Sequence, residues 1–110
     1  MSTATPTPEV LPEQETETRT RRQPPYAVIL HNDDTNTQVF VVMVLRKVFG
    51  YTVEKCIELM LEAHDKGRAV VWVGALEVAE LKADQIRSFG ADPSAQQESH
   101  PLGVSVEPAA

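Results

Sequence analysis

The sequence predicts a small α+β domain: a three-stranded, mainly antiparallel sheet covered on one face by three helices. Three observations lead there. Runs with two-residue apolar alternation occur at Tyr26–His31 and Arg68–Gly74, with a third at Leu102–Val106. Segments with helical spacing lie between them, each closed by a glycine. The resulting order is strand, helix, helix, strand, helix, strand. A chain of 110 residues has room for one such packed layer and no second lobe.

The first 25 residues do not belong to that layer. They hold five of the eight prolines, many threonines, and Glu9, Glu13, Glu15 and Glu17 ahead of Arg19, Arg21 and Arg22. Val10 and Leu11 are their only bulky apolar side chains, too few to offset the entropy of ordering. Residues 1–25 therefore read as a disordered extension. The folded domain is expected at 26–107 and a loose end at 108–110.

In the first strand, Tyr26, Val28 and Leu30 share one face, and Ala27, Ile29 and His31 the other. Asn32, Asp33 and Asp34 then turn the chain, because their side chains bond nearby backbone. Asn36 is a suitable N-cap for the next segment. Thr37 to Phe49 is valine-rich, which favours a strand, but its length and the spacing of Phe40, Val41, Val44, Leu45 and Val48 favour a helix. Arg46 and Lys47 suit its negative end, and Gly50 its stop.

Thr52 caps the second helix, which runs to Gly67. Val53, Cys56, Ile57, Met60, Leu61 and His64 form its expected apolar stripe, and Lys55, Glu58, Glu62 and Asp65 its wet side. In the second strand, Val71 and Val73 fall on one face, and Val70 and Trp72 on the other. The third helix spans about Ala75 to Phe89, with Ala75, Val78, Ala79, Ala83 and Ile86 inward. A polar loop from Ala91 to Pro101 leads to the last strand.

Composition excludes several function classes. A formal net charge of -6 argues against non-specific nucleic-acid binding and favours a cationic partner. The single cysteine, Cys56, rules out an internal disulfide and suggests a reducing, cytoplasmic compartment. The longest apolar run, Val39 to Leu45, falls far short of the roughly 20 residues a membrane span needs. A single small acidic domain is compatible with a monomer.

The polar corner and His64 are the candidate site. Asn32, Asp33, Asp34 and a neutral His64 offer acceptors, and a primary ammonium brings three donors. Two unit charges about 4 Å apart gain about 4 kcal/mol, before desolvation, at an effective dielectric near 20. If the ammonium is a peptide's N-terminus, Val41, Met60 and Ala63 can line a place for its first side chain, worth roughly 1.5–3 kcal/mol on burial. Other readings share these residues. Two Asp and a His suggest a divalent metal, but no further ligand is evident. A hydrolase site lacks a nucleophile motif, a phosphate loop or HExxH. On the plainest reading the aspartates only shape the turn, and His64 only closes an apolar stripe.

Four stretches taken together resemble one family. They are Tyr26 to Asp34; Leu59-Met60-Leu61-Glu62-Ala63-His64 with Gly67; Glu77-Val78-Ala79-Glu80-Leu81-Lys82; and His100-Pro101-Leu102. In this order and spacing they resemble the ClpS family of adaptors, which deliver N-end-rule substrates to the Clp AAA+ protease. That resemblance implies a fold shared with the C-terminal domain of the ribosomal stalk protein. It implies that Asn32, Asp34 and His64 bind a substrate α-amino group, with Asp33 shaping or charging the mouth. It places Asn36, Gln38, Val41, Met60, Ala63 and Leu102 at the side-chain pocket. It places Glu77 and Lys82 on the surface that meets the N-terminal domain of a Clp ATPase, and it assigns the N-terminal extension to handover. The implied function is a non-enzymatic adaptor for N-degron proteins, without metal or cofactor. The alternative is a regulatory module that docks on the ATPase and leaves the pocket unused. Asn36 and Gln38 depart from the family pattern of threonine and a hydrophobic gate, and Trp72 stands where a small residue is common.

Overall fold

A computed structural model of the chain describes residues 24–95, 98 and 100–109. The expected extension, apart from Pro24 and Pro25, lies outside the described residues. The elements are β1 (Tyr26–His31), α1 (Gln38–Phe49), α2 (Val53–Lys66), β2 (Arg68–Gly74), α3 (Leu76–Arg87) and β3 (Val104–Pro108). The sheet order is β2-β1-β3, and both pairings are antiparallel. Among the described residues, no helix is long and apolar enough to cross a membrane.

The core forms on the face of β1 that carries Val28 and Leu30. There Phe40, Val41, Val44 and Leu45 of α1 meet Cys56, Leu59, Met60 and Ala63 of α2, with Ala79 and Ile86 of α3. Ala27 and Ile29 point the other way but are buried too, since the central strand is flanked on both sides. Arg68 on β2 and Glu107 on β3 reach across β1 on that second face and pair at 2.7 Å.

Several local expectations change. The side chain that caps α1 is Thr37, not Asn36; its hydroxyl accepts the Phe40 N–H at 3.2 Å. On α2 the buried stripe is Cys56, Leu59, Met60 and Ala63, while Val53, Ile57 and Leu61 are exposed. The helix is apolar over a wide arc, and contact with α1 and β2 selects which part is covered. On α3, Ala79, Ala83 and Ile86 are buried as expected, but Ala75 and Val78 are exposed.

Strand β2 also departs from simple alternation. Val28 pairs with Trp72 and Ile29 with Val70, so Val71 is an extra residue. Such a bulge reverses side-chain parity. Val71 is buried, Trp72 turns to pack on the core, and Val73 lies exposed with Val70. The expected grouping of Val71 with Val73, and of Val70 with Trp72, fails for this reason. Finally, β3 starts at Val104 and not at Leu102. Pro108, expected in a loose end, closes that strand, and the Ala109 N–H donates to the Pro25 carbonyl at 2.9 Å.

Candidate functional site

The corner after β1 is built by its own side chains. Asp33 Oδ1 accepts the Thr35 N–H at 2.8 Å and the Thr35 hydroxyl at 2.7 Å. Asp33 Oδ2 accepts from Asn36 Nδ2. Asn36 is only 7% exposed. Its Nδ2 also donates to the His100 carbonyl at 2.8 Å, and its Oδ1 accepts the Asp92 N–H at 2.9 Å. Both halves of this buried amide are therefore satisfied, as burial demands.

Asp92 completes the corner from the α3–β3 connection. Its Oδ2 accepts the Thr37 N–H at 2.9 Å and the Thr37 hydroxyl at 2.6 Å; its Oδ1 accepts the Ser94 N–H at 2.8 Å and the Ser94 hydroxyl at 2.7 Å. A carboxylate thus sits at the positive end of α1, where a helix dipole favours it. The Thr37 hydroxyl, opposed by burial and aided by Ser94 and the backbone, holds Asp92 far below the ordinary carboxylate range. Burial pushes the Asp33 carboxyl up, but the bonds from Thr35 and Asn36 outweigh it and bring the group below its usual range. Sequence reading did not single out Asp92. Its signal was an Asp-Pro-Ser turn, which reveals nothing of a partner 55 residues away.

A cleft of about 40 Å³ opens between this corner and α2. By volume it takes a few water-sized groups, since about 10–15 Å³ suffices for one. Its polar lining is His31, Asn32, Asp33, Asn36, Gln38 and His64. Its apolar lining is Leu30, Val41, Met60, Ala63 and Leu102. The Asn32 N–H donates to the Gly67 carbonyl at 3.0 Å, which ties the corner to the end of the helix that carries His64. His64 is more than half exposed, with Nδ1 3.3 Å from Asp65 Oδ1.

Nearly all the expected site residues therefore meet. Asp34 is the exception: it is exposed and does not line the cleft, whereas Asp33 does. Leu30 and His31 were missed as cleft residues; the strand pattern assigned them to opposite faces, and only the end of β1 brings both to the opening.

A family model described as ATP-dependent Clp protease adaptor protein ClpS matches residues 21–105. The chain belongs to the ClpS family. It is 42% identical over 92 residues to an ATP-dependent Clp protease adapter protein ClpS of Ruegeria sp. (strain TM1040), covering 84% of this chain and 77% of that one. It is 41% identical over 100 residues to the ClpS of Edwardsiella ictaluri (strain 93-146), covering 89% and 90%. Agrobacterium tumefaciens ClpS2, solved bound to L-phenylalaninamide, superposes with a TM-score of 0.68 at 34% identity, over 77% of this chain and 96% of that one.

The pair that the ClpS resemblance assigns to docking lies on α3, and neither residue lines the cleft. Glu77 is exposed. Lys82 is half-buried: its ammonium donates to the Val48 carbonyl at 3.1 Å and stands 5.7 Å from the Phe49 ring centroid.

Proposed function

We propose that this ClpS-family chain is a non-enzymatic adaptor, which holds the free α-amino group and first side chain of N-degron proteins and delivers them to a Clp AAA+ unfoldase. The observation that carries the reading is the mixed lining of the cleft. Acceptors at Asn32, Asp33 and His64 adjoin an apolar wall of Val41, Met60, Ala63 and Leu102. An ammonium bonded to a carboxylate gains about twice what a neutral hydrogen bond gains. An adjacent apolar recess rewards the first side chain. L-phenylalaninamide, the ligand of the ClpS2 relative, joins an amino group to one aromatic side chain, as a peptide N-terminus does.

Within this reading Asn32, Asp34 and His64 hold the ammonium, and Asp33, whose carboxylate is bonded to Thr35 and Asn36, shapes the mouth of the cleft. Glu77 and Lys82 on α3 meet the N-terminal domain of the ATPase. The adaptor works as a cytoplasmic monomer and leaves its peptide chemically unchanged.

The test is a panel of fluorescent peptides that differ only at residue one, each with a free and an acetylated N-terminus. Binding of peptides that begin with bulky apolar residues, lost on acetylation, is the expected result. If no peptide binds through its amine while the chain still binds the ATPase, the adaptor reading falls and a purely regulatory module replaces it.

A further inference from the structure

Asn36 and Asp92 form a connected device that the adaptor reading does not need. Asp92 is 5% exposed and does not line the cleft. It nonetheless joins three parts of the molecule. Its backbone N–H reaches Asn36, its carboxylate holds the first turn of α1 through Thr37, and the same carboxylate orders its own loop through Ser94. Asn36 adds a second tie to that loop at the His100 carbonyl, two residues before Leu102. Leu102 is buried and forms part of the apolar wall of the cleft. Asn36 also holds Asp33, another residue of the cleft lining. One buried amide therefore links Asp33 to the segment that carries Leu102, and the Asp92 N–H fixes its orientation.

We infer that Asn36 and Asp92 are positioning residues that set the size of the side-chain pocket, by clamping the segment that carries Leu102 against the start of α1. This rests on the adaptor reading and adds what determines its selectivity. A protein interior yields little when every partner is bonded, so a clamped Leu102 keeps the cleft narrow. Released from His100 and from the Asp92 N–H, the segment that carries Leu102 is held less tightly against α1, and larger first side chains gain relative to smaller ones. Asp92 gives the clean test because it is not part of the wall. An effect of Asp92 on selectivity acts through the loop and the first turn of α1, and not through lost contact with the ligand.

The experiment measures affinities of free-amine peptides that begin with Ala, Leu, Phe or Trp, for the full chain and for Asn36→Ala and Asp92→Ala. Asn36→Thr and Asp92→Asn serve as milder versions where an alanine variant fails to give a folded circular-dichroism spectrum. The expected result is a rise in the Trp-to-Leu affinity ratio of about threefold or more in both positions' variants, the size of effect that a small change in pocket dimensions produces. Amide exchange at Asp92 accelerates in Asn36→Ala, while the α2 amides stay protected. An equal weakening of all four peptides, with the ratio unchanged, would mark a merely structural role and overturn the inference while leaving the adaptor reading intact. A native chain without any amine-dependent binding overturns both.

Discussion

Lys82 of α3 donates its ammonium to the Val48 carbonyl at the C-terminal end of α1, at 3.1 Å. The last carbonyls of a helix lack intrahelical partners, and a cation there meets the negative end of the dipole. Lys82 thus locks two helices together, whatever it does for a partner. Lys82→Ala is expected to lower stability by about 1–2 kcal/mol, read as a lower urea midpoint with an unchanged slope. Glu77→Ala, at an exposed position, is expected to stay within about 0.5 kcal/mol of the native chain. Loss of ATPase binding is therefore interpretable at Glu77, and at Lys82 only after correction for stability.

The two adjacent aspartates make opposite predictions. Asp33 bonds Thr35 and Asn36 through both carboxylate oxygens, whereas Asp34 is exposed. Asp34→Asn is expected to weaken amine-dependent peptide binding by about 10- to 100-fold, the worth of a charged hydrogen bond of roughly 1.5–3 kcal/mol. Asp33→Asn is expected to act first on the corner itself, read as a lower urea midpoint. Parallel titrations with one free-amine peptide, corrected for stability, decide between them, and the reverse outcome moves the ammonium to Asp33.

Asp92 makes stability pH-dependent in a definite direction. Its folded pKa lies below the ordinary unfolded value, chiefly through the Thr37 hydroxyl. Stabilisation by the carboxylate is then complete above about pH 5 and is lost as pH falls through the ordinary unfolded value, about 3.9, to the depressed folded one. Asp92→Asn removes that dependence. The stability gap between native chain and variant should be constant from neutral pH down to about 5 and should shrink towards about pH 3. Urea unfolding across this range measures it, and a gap that widens on acidification contradicts the assignment.

Gly74 makes room for the chain's one tryptophan. A Cβ there would overlap Trp72 Cη2. Gly74→Ala must displace the indole, at an expected loss of about 1–3 kcal/mol. Trp72 fluorescence should move to the red as the ring leaves its place against the core. An unshifted emission band would mean that the backbone yields instead.

Gly67 ends α2 in a left-handed conformation, at φ 90°, and its carbonyl receives the Asn32 N–H. Any L residue there pays about 1–2 kcal/mol for that conformation. Gly67→Ala should lower the unfolding midpoint accordingly, and should also weaken peptide binding, because Asn32 loses part of its anchor. Binding that survives in proportion to the folded fraction would show that the corner keeps its shape unaided.

The sequence by itself determined the six elements, their order and most of the residues of the cleft. The elements and the polar turn follow from local rules: two-residue and helical periodicity, Thr52 as an N-cap, glycine at helix ends, and asparagine and aspartate at a turn. Asn36, Gln38 and Leu102 join the pocket only through the resemblance to the ClpS family. The tertiary structure alone decided which apolar arc of α2 is buried, where β2 bulges, and what Asn36 does. Leu59 and Ala63 are no more apolar as a set than Ile57 and Leu61; contact with α1 and β2 separates them. Val71 becomes the extra residue only against its partners on β1. Asn36 looked like a helix cap or a pocket residue, since such side chains serve either role. Its bonds run to residues 56 and 64 positions away in the chain. No local pattern encodes partners so distant, because the loop that brings them together is placed by the packing of the whole domain.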